Sequence, residues 1–297
     1  MDYYKTVEKT LEYISDNIEQ NITLEDLSSN VGYSQYHFIR IFSKEVGINP
    51  IEYVRSEKLS YAAKEIFMGE RILDVAIKYG YETASGFSKA FKKEFGYTPT
   101  KYVSRMTLLE TKGINIDNRR LRMDYKIVNK EAFKVIGYGI DTNINKESIK
   151  EEVAAFWNNY DTNGWEEKLY KKLNPEKHGE VGISISKDSG ELKYVLGVIV
   201  KSEDNIEDNM MVIDVPSAKY AVFTTKPVDF TRSNGVNGEK EFVNAIKSTW
   251  KYIFEEWFKD SEYEYDDNKM DFEFYDERCH FRPDTVMEIY IPIKDKE

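Results

Sequence analysis

Residues 24–54 (LEDLSSNVGYSQYHFIRIFSKEVGINPIEYV) return as residues 72–103 (ILDVAIKYGYETASGFSKAFKKEFGYTPTKYV). Up to the turn the offset is 48, and Asp26, Gly32 and Tyr33 meet Asp74, Gly80 and Tyr81. One inserted residue makes it 49, and Phe38, Phe42, Lys44, Glu45, Gly47, Pro50, Tyr53 and Val54 then meet Phe87, Phe91, Lys93, Glu94, Gly96, Pro99, Tyr102 and Val103. Ordered identities at this density mark a duplication. A duplicated unit of this length is one supersecondary element built twice.

Each copy reads as helix, tight turn, helix. Leu24, Leu27 and Val31 fall on one face of a short helix, with Thr23 and Asp26 at the spacing of a capping box. Gly32 and Gly80 stand where that helix must stop and the chain needs a positive φ. Ser34 and Thr83 can cap the second helices, whose apolar faces are Phe38, Ile41 and Phe42 in one copy and Phe87, Ala90 and Phe91 in the other. Asn49-Pro50 and Thr98-Pro99 each restart a helix. Leu59, Ala62, Ala63 and Ile66 predict a long joining helix, and Val7, Leu11, Ile14 and Ile18 a leading one.

This pattern suits a generic helical bundle or a pair of DNA-reading hairpins. The outer faces favour the second. Gln35, Tyr36, Arg40 and Lys44 project from one second helix, and Ser85, Lys89, Lys92 and Lys93 from the other. These are donors of the kind that meet phosphates and base edges.

With these residues in place, the stretch over about residues 5–106 resembles the double helix-turn-helix domain of the AraC/XylS transcription regulators. The resemblance implies an all-α domain over 1–108 in which helices about 34–46 and 83–95 enter adjacent major grooves of double-stranded DNA. Helix 51–68 would hold them one turn of B-DNA apart, about 34 Å. It implies DNA contacts from Ser34, Gln35, Tyr36, Arg40, Lys44, Thr83, Ser85, Lys89, Lys92 and Lys93, with Tyr36, Arg40 and Lys89 at base-reading positions. Gly86, inside the second reading helix, offers no side chain to a base and costs about 0.5–1 kcal/mol of helix stability against Ala.

Charge separates this region from the rest. The whole chain of 297 residues has a net charge of −11, which argues against a nucleic-acid binder if taken as an average. Residues 1–112 carry 15 Lys/Arg against 16 Asp/Glu, a net of −1, and the remainder carries −10. A hydrophobic fraction of 41% supports packed cores, and no stretch approaches the length of a membrane span. The N-terminus has no apolar secretory core, and the one cysteine, Cys279, has no internal partner. The expectation is a cytoplasmic, nucleoid-associated protein. With His37, His178 and His280 far apart in sequence, neither a metal site nor a cofactor is expected.

Residues 109–123 lose periodicity and read as a linker, in which Arg119, Arg120 and Arg122 face either solvent or DNA phosphate. From 124 to 297 the order β-α-β-β occurs twice. Strands near 133–140, 181–186 and 193–200 surround a helix through 151–160. Strands 219–225, 270–275 and 286–293 surround a helix through 239–258. This predicts an α+β domain with pseudo-twofold symmetry and a cleft between its halves.

Strand alternation puts Asp271, Glu273 and Tyr275 on one face, and Glu288 and Tyr290 share a face of the last strand. A carboxylate ringed by aromatics can bind a cation by charge and cation–π attraction, although the same pattern suits a strand with one solvated face. The segments VPSAKYAVF, GELKYVLGV, DFEFYD and EIYIPI resemble the gyrase-inhibitor-like effector-binding domain of the Rob-type regulators. That resemblance implies a small-molecule cleft lined by Glu273, Tyr275, Trp157 and Tyr194. The shared face of the last strand adds Glu288 and Tyr290 as candidates, and the excess of acidic and aromatic side chains favours a cationic, amphipathic effector. The resemblance implies a ligand-responsive regulator, with RNA polymerase as a further partner, rather than an enzyme. The alternatives are hydrolysis of a small electrophile by Glu273 and Tyr275, or an acidic protein–protein module.

Overall fold

The computed structural model describes residues 3–110, 123–143, 149–187, 190–231, 236–279 and 282–296. The chain divides into two compact units, Met1–Glu94 and Phe95–Glu297.

In the first unit, helices α1 (Tyr3–Asp16), α2 (Leu24–Asn30), α3 (Gln35–Val46), α4 (Pro50–Phe67), α5 (Ile72–Lys78) and α6 (Ala84–Phe95, ending at the boundary) follow the repeat. Local chemistry sets their ends. Thr23 and Asp26 form the reciprocal capping box on α2. Asn49 Oδ1 accepts from the Ile51 amide at 2.9 Å, and Pro50 follows it at the start of α4. Gly32 and Gly80 turn the chain at φ 73° and 87°, values that cost a side-chain-bearing residue strain.

The duplication extends to packing. Phe38 and Phe42 lie 5.7 Å apart between ring centroids, as do Phe87 and Phe91, and all four are buried. Truncating any one to Ala in such a site typically costs 3–5 kcal/mol, roughly. Leu59, Ala62, Ala63 and Ile66 of α4 complete the buried set.

The second unit begins before the last helix of the sequence repeat. Helix α7 (Pro99–Glu110) belongs to it, so the structural boundary falls earlier than residue 108. The cause is a set of side chains that tie α7 and the residues just before it to the sheet domain. Arg105 and Lys101 pair with Asp271, and the Tyr97 hydroxyl donates to the Phe254 carbonyl. The linker stretch 111–122, with Arg119, Arg120 and Arg122, lies outside the described residues.

After α7 come β1 (Tyr125–Lys130), β2 (Phe133–Asn143), α8 (Ile149–Thr162), α9 (Trp165–Leu173), β3 (Glu180–Ser186) and β4 (Glu191–Val200). The second half is β5 (Met211–Val215), β6 (Ala218–Thr224), α10 (Val236–Tyr252), β7 (Tyr263–Tyr265), β8 (Phe272–Tyr275) and β9 (Glu288–Asp295). A π-helical turn, Ile253–Trp257, extends α10. Such a turn shifts the backbone pairing, and the Tyr97 hydroxyl satisfies one carbonyl within it.

The sheet order is β1-β6-β9-β8-β3-β4-β2-β5, with β7 on β9. Read outward from the β8–β3 pair, the two sides match, as the internal symmetry predicts. The first half carries one strand more than expected and the second two: β1 crosses to pair with β6, β5 crosses to pair with β2, and the short β7 pairs with β9. Only Glu131 and Ala132 join β1 to β2, although six steps of the sheet separate them. A flat sheet would put those strands nearly 30 Å apart at about 4.8 Å per step. Two intervening residues span about 11 Å at most. The sheet is therefore rolled.

Its inner face holds Val135, Val181, Ile183, Val195, Val222 and Phe272, with the Tyr290 ring stacked 4.5 Å from Phe272. Its outer face packs Ile136, Tyr138 and Leu196 against Phe156 and Tyr160 of α8 and Leu169 of α9.

Candidate functional site

On α3 the buried side is Phe38, Ile41 and Phe42, which leaves Gln35, Tyr36, Arg40 and Lys44 exposed on the opposite side. The Arg40 guanidinium carbon lies 5.9 Å from the centroid of the Tyr36 ring, so the two form one exposed aromatic–cation pair. On α6 the exposed residues are Ser85, Lys89 and Lys93, while Lys92 is half-buried. The 49-residue offset of the repeat relates Arg40 to Lys89 and Lys44 to Lys93, so each helix presents cations at the same two places.

Ser34 and Thr83 cap the two helices. Ser34 Oγ accepts from the His37 amide at 3.4 Å and Thr83 Oγ1 from the Gly86 amide at 3.0 Å. Both are caps that hold the starts of the exposed helices. A Cβ at Gly86 would lie 3.1 Å from Thr83 Oγ1. The missing side chain leaves room for the cap.

In the second unit, β8 carries Glu273 and Tyr275 on the outer face, as alternation predicts. Glu273 is 3% exposed. Its Oε1 accepts from Trp250 Nε1 of α10 and its Oε2 from the Tyr275 hydroxyl, each at 2.8 Å. On β3, Gly182 lies opposite Glu273 in register, and a Cβ there would meet the Tyr194 hydroxyl at 3.1 Å and Glu273 Oε2 at 3.3 Å. Tyr194, on β4, packs against Trp157 and Phe156 of α8 at ring distances of 5.9 and 5.6 Å. Burial, then the Glu273 charge, pushes the pKa of Tyr194 and Tyr275 well above the ordinary tyrosine value, so both stay protonated. Tyr194 is 4% exposed, and its hydroxyl has no hydrogen-bond partner among the described residues. An orphaned buried hydroxyl beside a carboxylate is an opening for a ligand.

Glu273, Tyr275, Tyr194 and Trp157 therefore come together. Glu288 and Tyr290 do not join them. Antiparallel register sets Tyr290 opposite Phe272 and Glu288 opposite Phe274, so both point to the inner face of the sheet. There Tyr290 donates to Glu288 at 2.8 Å and Lys126 pairs with it at 2.9 Å. Burial raises the Glu288 pKa, but the bonds from Lys126 and Tyr290 hold it below the ordinary value. The expected grouping failed because alternation assigns faces within a strand, while strand pairing fixes them between strands.

Three residues that meet this cluster, Trp250, Glu180 and Arg105, do not stand out in the sequence. Trp250 looks like helical core, and Glu180 like the charged start of a strand. Glu180 shares the outer face, opposite Tyr275, and accepts from the Tyr160 hydroxyl at 3.3 Å. Burial, then Glu166, raises its pKa from 4.5 to about 7. Asp271 is fully buried beside Arg105 of α7, whose Nη2 donates to Asp271 Oδ1 at 2.7 Å. Arg105 also stacks on Trp250, with its guanidinium carbon 3.7 Å from the ring centroid. Burial raises the Asp271 pKa, and Arg105 and Lys101 more than reverse it.

The cleft expected between the halves is thus closed over Glu273. Two cavities of about 710 and 510 Å³ lie elsewhere: one around Lys130, Phe133 and His178, the other around Lys101, Ser186 and Lys269. Among the described residues no cluster of His, Cys, Asp or Glu is placed to hold a metal ion, and no helix is long and apolar enough to cross a membrane.

Comparison with known proteins addresses the two units separately. A helix-turn-helix domain model matches residues 27–105, and the model described as integron-associated effector binding protein matches residues 126–293. The multiple antibiotic resistance protein MarA of Escherichia coli K12 is 37% identical over 106 residues, 35% of this chain and 82% of MarA. The HTH-type transcriptional regulator YbfP of Bacillus subtilis is 34% identical over 113 residues, and the match spans 38% of its length. Among solved structures, SAV2435 bound to tetraphenylphosphonium is 20% identical, covering 58% of this chain and 94% of that one with a TM-score of 0.41. The integron cassette protein from the mobile metagenome of Vibrio cholerae is 18% identical, covering 57% and 95%, with a TM-score of 0.34. By its two matched regions, the chain belongs to the AraC-type helix-turn-helix DNA-binding regulators and carries a domain of the integron-associated effector-binding family.

Proposed function

We propose that α3 and α6 read adjacent major grooves through Tyr36, Arg40 and Lys89, and that the Glu273 cluster binds a small cationic, amphipathic effector. The observation that carries the effector reading is the buried Glu273 among Trp250, Tyr275, Tyr194 and Trp157, with the Tyr194 hydroxyl left unpartnered beside it. A carboxylate in that setting attracts a cation, and the rings supply apolar and cation–π area. The enzyme alternative lacks support from the same geometry. Glu273 has a donor on each oxygen, which suits a counter-ion better than a base. The Cys279 thiol is bonded to the Val286 carbonyl at 3.1 Å, and burial pushes its pKa up to about 12, which removes it as a thiolate nucleophile.

The finer roles follow from this reading. The protein would work on the nucleoid in the cytoplasm, and bound α3 and α6 would bring RNA polymerase within reach. Titration calorimetry with tetraphenylphosphonium tests the effector site. Wild type should bind, and Glu273→Gln, which keeps shape and loses charge, should bind at least tenfold more weakly. Equal affinity for both would remove Glu273 as the counter-ion.

A further inference from the structure

Arg105 does in this structure what a cationic effector would have to do. Its guanidinium lies 3.7 Å over the Trp250 ring, the same ring whose Nε1 donates to Glu273. It is 3% exposed and bonded to Asp271, and the Asp271 and Glu273 charges both act on it. Lys101, one helical turn earlier on α7, adds a second cation, 3.2 Å from Asp271. Two carboxylates are thereby matched by two cations from a single helix. The Nε of Arg105 is itself buried without a hydrogen-bond partner, so the fit is incomplete. That is the mark of a contact that can be exchanged.

We infer that Arg105 is an internal occupant of the effector site, and that a cationic effector competes with it for Trp250 and the Glu273–Asp271 carboxylates, releasing α7 from the sheet. The inference rests on the effector reading above and adds its regulation. Arg105 is the last residue matched by the helix-turn-helix model, although the structure packs its helix with the sheet domain. One helix thus belongs to the reader by sequence and to the sensor by contact. Docked α7 and bound cation exclude each other, because removing Arg105 leaves buried negative charge that must be neutralised. Linkage follows: what favours the released helix strengthens cation binding, and cation binding favours the released helix. With the helix docked most of the time, apparent affinity falls by the fraction of molecules with an open site.

Two measurements test this on the full chain. Hydrogen exchange of the α7 amides, followed with tetraphenylphosphonium added to wild type, should speed up, and unchanged or slower exchange would overturn the inference. In calorimetry, Arg105→Gln should bind that cation about tenfold more tightly than wild type. The double variant Arg105→Gln/Asp271→Asn, which removes one buried cation together with one buried carboxylate, guards against misfolding and should show the same exchange rates with and without the cation. If Glu273→Gln loses affinity while Arg105→Gln binds no better than wild type, the effector reading stands and the internal occupant fails. If no variant binds the cation, the effector reading fails and the inference goes with it.

Discussion

Glu180 is a side chain whose protonation the fold changes near neutral pH. Its pKa rises from 4.5 to about 7, chiefly by burial. The folded chain therefore holds a proton there that the unfolded chain releases, so this residue's contribution to stability falls as pH rises from 4.5 to 7. Glu180→Gln keeps an acceptor for Tyr160 and removes the penalty. We expect it to stabilise the protein at pH 8 by on the order of 1 kcal/mol and to have little effect at pH 4, measured by urea denaturation at both values. Asp271 behaves oppositely. Its lowered pKa gives stability that is complete above the ordinary carboxylate value and is lost as pH falls through the lowered one. Glu273 and Tyr275 were legible as one face of a strand, but Arg105 and Trp250 were not. Their roles depend on which helix packs above that strand, and periodicity marks an apolar face without naming its neighbour.

Among the elements, the paired helices α3 and α6 were the most legible, because caps, turn glycines and apolar faces all repeat and agree. Thr83→Ala removes the hydroxyl that accepts from the Gly86 amide and should cost about 1 kcal/mol in thermal or denaturant unfolding. Arg40→Ala and Lys89→Ala should each cost about 1–3 kcal/mol in binding to a selected duplex and less in binding to random DNA. Equal losses on both duplexes would make these residues phosphate contacts. The strands β1 and β5 escaped the sequence reading for a physical reason. Outward-facing residues dominate β1, and β5 (MVIDV) places the apolar Val212 at an exposed position, so its sequence hides the alternation that its burial shows. What defines them is pairing with the opposite half of the sheet. Helix α7 was legible as a helix from Thr98-Pro99, yet its allegiance was not, since Lys101 and Arg105 read as surface cations until Asp271 is opposite them.

For the whole molecule, a near-neutral reader joined to an acidic sensor explains how a chain of net charge −11 can bind DNA. Because each cation that meets a phosphate adds about one to the salt slope, binding should weaken as salt rises, and Lys93→Ala should reduce that slope by about one. The central claim is that one chain couples cation binding to DNA reading. The most direct test is fluorescence anisotropy of a selected duplex with the 297-residue chain, with and without saturating tetraphenylphosphonium, in wild type and Glu273→Gln. Coupling of this kind typically changes affinity about 5–150-fold. The account predicts a shift in that range for wild type and none for Glu273→Gln. Unchanged DNA affinity in wild type, with the cation demonstrably bound, would contradict it.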